Sequence, residues 1–388
     1  MYIIQFNGLF MSMQEIKRQE ELEVEVENLG EGKSPEAITK PFNPNEIDVD
    51  ISTVNLGSLI EQLENDEIDL QPDFQRATDV WDSIKKSRLI ESILLGLPLP
   101  SFYFSEDPVS HKLSIIDGLQ RICAIQDFIL KEKEPLKLEG LQFLKNFEGK
   151  TYAELARPEV KRIKSLKITM NTLRKGTPLD VKYIIFQRVN TAGEPLTPQE
   201  MRHALNQGPA SIFIKELADL ESFRKATNYS VKDKRMQDRD FVNRFIAFYI
   251  GYRDYTGDLD MFLNDKMGEL NKMTPEKRND IRLAFDKAMT CCYKIFKEDT
   301  FRKRYKMTDK RKPISKSVYD TLSVNIAWLS DEEQDRLLEK EAAFREGMTH
   351  LFNDEKFNSS ISTGTGQKYN VEQRFTMVKS LIKDILTQ

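Results

Sequence analysis

Cysteine and histidine are scarce: three of each in 388 residues (Cys123, Cys291, Cys292; His111, His203, His350). They are too few and too scattered for a zinc cluster, and the cysteines give no extracellular disulfide framework. Cys291 and Cys292 are neighbours, expected to face different sides of one helix. No apolar run reaches the ~20 residues that cross a bilayer. The start, Met-Tyr-Ile-Ile-Gln-Phe-Asn, lacks the basic-then-apolar layout of a signal peptide. A cytoplasmic protein without a membrane partner is therefore expected. A strong charge of either sign is missing too. A net charge of -4 announces no nucleic-acid binder and leaves only local basic patches to consider.

What is present points to a soluble chain of more than one domain. Apolar residues make up 39%, charged residues 31%, and the mean hydropathy is -0.52, while 388 residues exceed one typical core. Residues 1–40 read as an acidic arm. From Glu15 to Glu31 acidic residues dominate, and Leu22, Val24 and Val26 alternate with Glu21, Glu23, Glu25 and Glu27. That load suits a mobile tail, or a strand that pairs with the sheet edge of a partner.

Residues 41–200 mix strand and helix periods. Leu56–Leu63 reads as a short helix, followed by a strand-sized pair, Ile68 and Leu70, and the loop Gln71-Pro-Asp-Phe-Gln-Arg76. In that loop Phe74 is the anchor, with Gln75 and Arg76 presented; the plain alternative pairs Arg76 with a surface Asp. Trp81–Leu95 reads as a helix burying Trp81, Ile84, Ile90, Ile93 and Leu94, with Lys85, Lys86 and Arg88 on the wet side. Gly96-Leu-Pro-Leu-Pro100 ends it, and Phe102–Phe104 form the next strand.

The chain then runs Lys112-Leu-Ser-Ile-Ile-Asp-Gly-Leu-Gln-Arg121: a short buried strand, a glycine turn and a helix start. Asp117, Gln120 and Arg121 fall at a helix N-terminus, where free N–H groups and the dipole favour an anion. Arg121 adds a fork suited to phosphate or carboxylate. Asp117 and Arg121 are also four residues apart, the spacing of an ordinary capping or intrahelical salt bridge. Both readings stand. His111 reads as a surface loop residue. Mixed short elements fill 136–160, Leu166–Met170 alternate as a strand, and Asp180–Val189 read as a helix capped by Asp180. Thr197-Pro-Gln-Glu200 is a helix start: Thr cap, Pro first, Glu third.

Residues 201–388 are almost wholly helical in pattern, as a helical domain requires. Candidate helices are Phe213–Leu220, Asp240–Tyr252, Leu259–Met267, Pro275–Lys297, Ser317–Leu329, Glu332–Met348 and Val371–Leu386. Arg302, Lys303, Arg304, Lys306 and Arg311, with interleaved aromatics, form either a DNA-backbone contact or a solvated loop. The loop Phe357-Asn-Ser-Ser-Ile-Ser-Thr-Gly-Thr-Gly366 is rich in donors that could cradle an anion, yet lacks the Gly-Lys-Ser/Thr ending of a P-loop.

Taken together, Pro72–Arg76 with Trp81, Arg88–Pro100, Ile116–Arg121 and Phe186–Glu200 resemble the N-terminal domain family of GmrSD-type restriction proteins. This is the DGQQR-motif branch of the ParB/sulfiredoxin-like superfamily, and the resemblance runs from about Asn43 to the last helix. It implies an α+β fold: a ParB/sulfiredoxin-like N-terminal domain followed by a mainly α-helical domain. It further implies a nucleoside triphosphate bound and hydrolysed in a DNA-targeting defence system. Asp117, Gly118, Gln120 and Arg121 would form the motif, with Arg76 and Gln75 on the phosphate side and Arg188 and Asn190 near the same cleft. Asp117 would be the ligand of a Mg²⁺ ion carried with the triphosphate. Relatives often carry an HNH nuclease domain. Here His203 and His350 are isolated, so a nuclease would come from a partner polypeptide.

One position departs from the motif. Leu119 stands where the first glutamine of Gln-Gln is usual. If that side chain enters the site, a polar contact is lost and hydrolysis weakens; if it faces the core, leucine packs and nothing is lost. The functional readings are therefore three: a nucleoside triphosphatase, a non-catalytic nucleotide- or DNA-binding regulator of a separate nuclease, and an interaction protein with a relic motif.

Overall fold

Among the described residues five short strands assemble one mixed sheet, and that sheet positions the glycine turn. The computed structural model describes residues 4–6, 9–11, 23–29, 48–69, 81–107, 111–174, 176–189, 196–206, 208–306 and 308–387. The chain divides into two compact units: residues 40–205, and residues 206–388 together with 1–39. Near its start a hairpin pairs β1 (Ile4–Phe6) with β2 (Leu9–Met11).

The first unit is α+β. Its sheet has the order β3-β7-β5-β6-β4, with β3 (Val49–Asn55), β4 (Ile68–Asp69), β5 (Phe102–Glu106), β6 (Leu113–Asp117) and β7 (Lys167–Leu173). β3 and β7 are antiparallel, β7 and β5 parallel, β5 and β6 antiparallel, β6 and β4 parallel. Among the described residues six helices accompany it: α1 (Leu56–Glu64), α2 (Ser83–Leu95), α3 (Leu119–Ile129), α4 (Arg157–Ser165), α5 (Leu179–Val189) and α6 (Pro198–Leu205). Phe102, Phe104, Ile115, Ile116, Ile122, Ile125 and Phe128 are all buried, so β5, β6 and α3 form the centre of the core.

Local chemistry explains the element ends. Asp82 caps α2 by accepting the Lys85 N–H at 2.7 Å, and Gly96 closes it with φ 75°. Thr197 and Glu200 make the expected capping box, at 2.6 and 3.2 Å. Three expectations are corrected. Helix α2 buries Lys86, Ser87, Ile90, Glu91, Ile93 and Leu94, whereas Ile84 is exposed. Lys86 is admitted because it donates to Asp127 of α3 at 2.7 Å. Helix α5 begins at Leu179, so Asp180 is inside its first turn and not its cap. Residues 136–160 read as mixed short elements, but Arg157 opens helix α4, whose short apolar face of Val160 and Ile163 buries Ile163.

The second unit is a helical assembly: α7 (Pro209–Ala218), α8 (Glu221–Ala226), α9 (Gln237–Gly251), α10 (Leu259–Asn271), α11 (Pro275–Phe296), α12 (Lys316–Ala327), α13 (Asp331–Glu339), α14 (Glu341–Asn353), α15 (Glu355–Ser362) and α16 (Lys368–Thr387). Every residue of α12 from Ser317 to Ala327 is buried. Its polar side chains are tolerated because Thr321, Ser323 and Asn325 each donate to the carbonyl four residues back. The stretch Glu332–Met348 is two helices, broken at Lys340, and the small-residue loop is helix α15 as far as Ser362. Cys291 and Cys292 are both buried in α11. Among the described residues no helix is long and apolar enough to cross a membrane.

Candidate functional site

The turn between β6 and α3 is built around a residue that must be glycine. Gly118 has φ 103°, in the left-handed region, and a Cβ there would lie 2.6 Å from Cδ1 of Phe102. The missing side chain lets the Phe102 ring and the Arg121 guanidinium close over the turn. Arg121 lies 4.5 Å from the Phe102 ring centroid and is 8% exposed.

Arg121 is held from three directions. Its Nη1 donates to the Pro100 carbonyl, and its Nη2 donates to the Ser101 carbonyl at 3.2 Å and to Oδ2 of Asp117 at 2.6 Å. Asp117 also accepts the Gly118 N–H. Burial pushes the Asp117 carboxyl above its ordinary value and the Arg121 guanidinium below its own, and their pairing offsets this only in part. The pair therefore does not stabilise the fold by its charge alone; its contribution is to fix geometry. Asp117 keeps a side chain 24% exposed, so it is the charged group of the turn that meets solvent.

The two open readings of the motif separate here. The bridge across four residues is real, and Arg121 faces backbone carbonyls and its own aspartate. Leu119 is 5% exposed, so the leucine packs, as the second alternative for that position has it. Gln120 is half-buried and accepts the Trp81 N–H through Oε1 at 3.2 Å, tying the turn to the start of α2. Arg188 is exposed near the end of α5. Gln75, Arg76 and Asn190 lie outside the described residues.

Two features carried no sequence signal. Glu91, 3% exposed, accepts the backbone N–H groups of Gln142, Phe143 and Leu144 at 2.9, 2.7 and 2.7 Å. Burial by itself would raise this carboxyl, but the three amides and Lys145 hold it below the ordinary range. Lys182, 6% exposed on α5, donates to Oγ of Ser105 at 2.8 Å and to the Glu106 carbonyl at 3.3 Å. Burial lowers its pKa against the pull of Asp107 and Glu106. Ser105 is at the far end of β5 from Phe102, so Lys182 and Arg121 brace opposite ends of one strand.

Residues 56–207 match the GmrSD restriction endonuclease N-terminal domain. The match begins with the first residue of α1 and ends just beyond α6, leaving out the edge strand β3. It is shorter than the stretch over which the motifs suggested likeness. No curated protein and no solved structure matches the chain. Within the GmrSD-like region lie the Asp117–Arg121 turn, Glu91 and Lys182. Among the described residues no group of three or more His, Cys, Asp or Glu is placed to hold a metal ion. A Mg²⁺ ion at the turn would have to share Asp117 with Arg121 and take its other ligands from phosphate and water.

The basic stretch lies outside the matched region, and its first two cations are turned inward. Arg302 is 4% exposed and donates to the carbonyls of Glu298 and Lys312 and to Ser230 Oγ. Burial, aided by Arg311, pushes its pKa down to about 10. Lys303 is 7% exposed and binds Glu25 at 2.7 Å; Arg304 binds Asp299 at 3.0 Å. Arg302 and Lys303 are thereby withdrawn from the surface contact that their sequence suggested. Lys306 and Arg311 are exposed.

Proposed function

We propose that the GmrSD-like region is a nucleoside-triphosphate-binding module of a DNA-targeting defence system, with a ParB/sulfiredoxin-like fold and the Asp117–Gly118 turn facing the phosphates. The match of residues 56–207 to a restriction-endonuclease domain carries this reading. The turn is consistent with it: Asp117 ends β6 and Gly118 precedes the N-terminus of α3, the end of a helix that favours an anion. In this reading Asp117 orients water or shares a Mg²⁺ ion. Arg121 is a positioning residue that fixes Asp117 and the Pro100–Ser101 backbone. The positive charge for the phosphates comes from Arg76 and Arg188, and Gln75 and Asn190 add neutral hydrogen-bonding groups.

The commitment of Arg121 to two carbonyls and a carboxylate favours a second reading, in which the module binds nucleotide without hydrolysing it and regulates a separate nuclease. Hydrolysis needs a cation on the transferring phosphoryl group. Titration calorimetry with each nucleoside triphosphate, with and without Mg²⁺, together with phosphate release, tests both. Binding with release that Asp117→Asn abolishes supports the triphosphatase. Binding without release selects the regulator. No binding of any triphosphate refutes the module and leaves an interaction protein with a relic motif.

A further inference from the structure

Residues 23–29, part of the acidic arm, lie in a groove of their own helical unit. Val24 bridges Ile314 in parallel: the Glu25 N–H donates to the Ile314 carbonyl at 2.8 Å, and the Ile314 N–H donates to the Glu23 carbonyl at 3.0 Å. Further along, the Thr365 N–H donates to the Asn28 carbonyl at 2.9 Å. This is the way an added strand is received. Alternate side chains of a strand share a face, and on the face of Glu23, Glu25 and Glu27 the last two meet cations. Glu25 accepts from Lys303 Nζ at 2.7 Å. Glu27 accepts a fork from Arg244 at 2.8 and 3.0 Å and the Thr365 hydroxyl at 2.9 Å. Burial alone would raise the Glu27 carboxyl; Arg244, Lys316 and Arg374 outweigh it and hold the group below its ordinary value.

The charges balance only with the arm in place. Lys303, Arg244, Lys316 and Arg374 surround the groove, and Arg244 and Arg374 are almost wholly buried. Asp320 pairs with Arg244 at 2.5 Å and lies 3.8 Å from Arg374, and Asp240 pairs with Lys316 at 2.6 Å. Four cations thus face two carboxylates until Glu25 and Glu27 supply the rest. A buried cation stripped of its partner is costly, so the groove demands anions. Apolar burial adds little: Val26 is 67% and Leu29 40% exposed, and Val24 is only partly buried against the core. The segment is held by backbone pairing and charge, as a ligand is.

We propose that this groove is a receptor for extended acidic peptides, reading carboxylates on alternate residues while the peptide backbone pairs with Ile314 and Thr365. Residues 23–29 are its resident ligand in cis, and an acidic strand of a partner protein displaces them. A peptide fits better than a polynucleotide because Ile314 and Thr365 engage amide and carbonyl groups that a phosphodiester chain lacks. The test uses the full chain carrying Glu25→Gln and Glu27→Gln, and a fluorescein-labelled peptide of residues 20–31. Anisotropy should show the peptide binding this chain at least tenfold more tightly than the unsubstituted chain, whose own arm competes. The same peptide with both glutamates replaced by glutamine should bind at least tenfold more weakly, and adding Lys303→Ala should remove binding.

Equal binding of the two peptides, or none to a chain with native circular dichroism, overturns the proposal. So does a single-stranded oligonucleotide that displaces the labelled peptide at lower concentration than unlabelled peptide does. If the doubly substituted chain does not fold, hydrogen exchange on the unsubstituted chain decides. The Glu25 and Thr365 amides should exchange at least 100-fold faster than amides in the middle of α16, and faster still at high salt. Protection equal to that of α16 makes the arm a fixed part of the core and refutes exchange.

Discussion

Replacing Arg121 by alanine measures whether this guanidinium holds the fold or waits for a ligand. Its removal strands Asp117, breaking an ion pair whose side chains are 10% and 24% exposed. Loss of one partner from a fully buried pair costs about 3–5 kcal/mol; the partly wet aspartate reduces this to about 2–3 kcal/mol. The Pro100 and Ser101 carbonyls each lose a donor, at about 1 kcal/mol apiece. Departure from the Phe102 face adds about 0.5 kcal/mol. The expected loss is therefore about 4.5–5.5 kcal/mol, confined to residues 40–205. The two tryptophans fall in different units, Trp81 beside Gln120 and Trp328 after α12, so a Trp328→Phe background makes fluorescence report the α+β unit alone. Urea unfolding followed at Trp81 should show the midpoint falling with the slope unchanged. Arg121→Lys should recover less than half of the loss, since an ammonium cannot fork to two carbonyls and a carboxylate. A shift below about 1 kcal/mol for Arg121→Ala would refute the positioning role and return the guanidinium to the ligand.

Three further substitutions probe the same unit. Gly118→Ala combines a left-handed backbone, about 1–2 kcal/mol, with a methyl 2.6 Å from Phe102. Overpacking of that kind costs about 1–3 kcal/mol, and thermal unfolding should show the sum. Glu91→Gln should cost about 2–4 kcal/mol at pH 7, from weakened amide bonds to a charged acceptor. The Glu91 carboxyl is held below its ordinary value, so its contribution is complete above that value and fades as pH falls through the lowered one. Chemical denaturation should therefore find the two proteins converging in acid, and a constant gap down to pH 2 contradicts the assignment. Lys182→Met should change stability by less than about 1 kcal/mol at pH 7, because a buried charge exchanged for an apolar isostere is often neutral. The folded-state pKa of Lys182 lies below its unfolded one, so the unsubstituted protein gains stability from this residue as pH climbs toward about 10.4. The methionine variant should lack that rise.

Segments whose local signals agree were readable from the chain. Val-Asn-Leu-Gly-Ser-Leu-Ile gave a helix beginning at Leu56, and Thr197-Pro-Gln-Glu200 gave a capping box whose two bonds are both present. Where burial rests on a distant partner, the pattern misled. Lys86 looked wet because its partner, Asp127, stands 41 residues further along. Ile84 reads as buried because it is apolar, although the face that packs carries Lys86, Ser87 and Glu91 together with Ile90, Ile93 and Leu94 and leaves Ile84 out. Helix α4 shows little in the sequence because its apolar face is only Val160 and Ile163 among charged residues; a proline in its first turn helps to start it. At the turn, a spacing of four correctly allowed a salt bridge. It could not reveal that Pro100, Ser101 and Phe102, some twenty residues earlier, complete the cage around Arg121.

The acidic arm and the basic stretch mark the limit of reading charge locally. Each, taken alone, is a run of one sign in a chain whose net charge is only -4, and each suggests an external partner of opposite sign. The structure brings them together: Glu25 meets Lys303, and Glu27 meets Arg244 from a third region of the chain. Charge complementarity within one unit therefore accounts for the paired members of the two runs, Glu25, Glu27 and Lys303, while Lys306 and Arg311 stay exposed. That reverses the inference about the basic stretch, because a cation already 7% exposed and paired cannot contribute to a backbone-phosphate contact without first losing its carboxylate. Any anion that reaches Lys303 must compete with an intramolecular ligand at high effective concentration. Occupancy of the groove is consequently set by how well a rival reproduces two carboxylates on alternate residues and the backbone pairing beside them, and not by net negative charge alone.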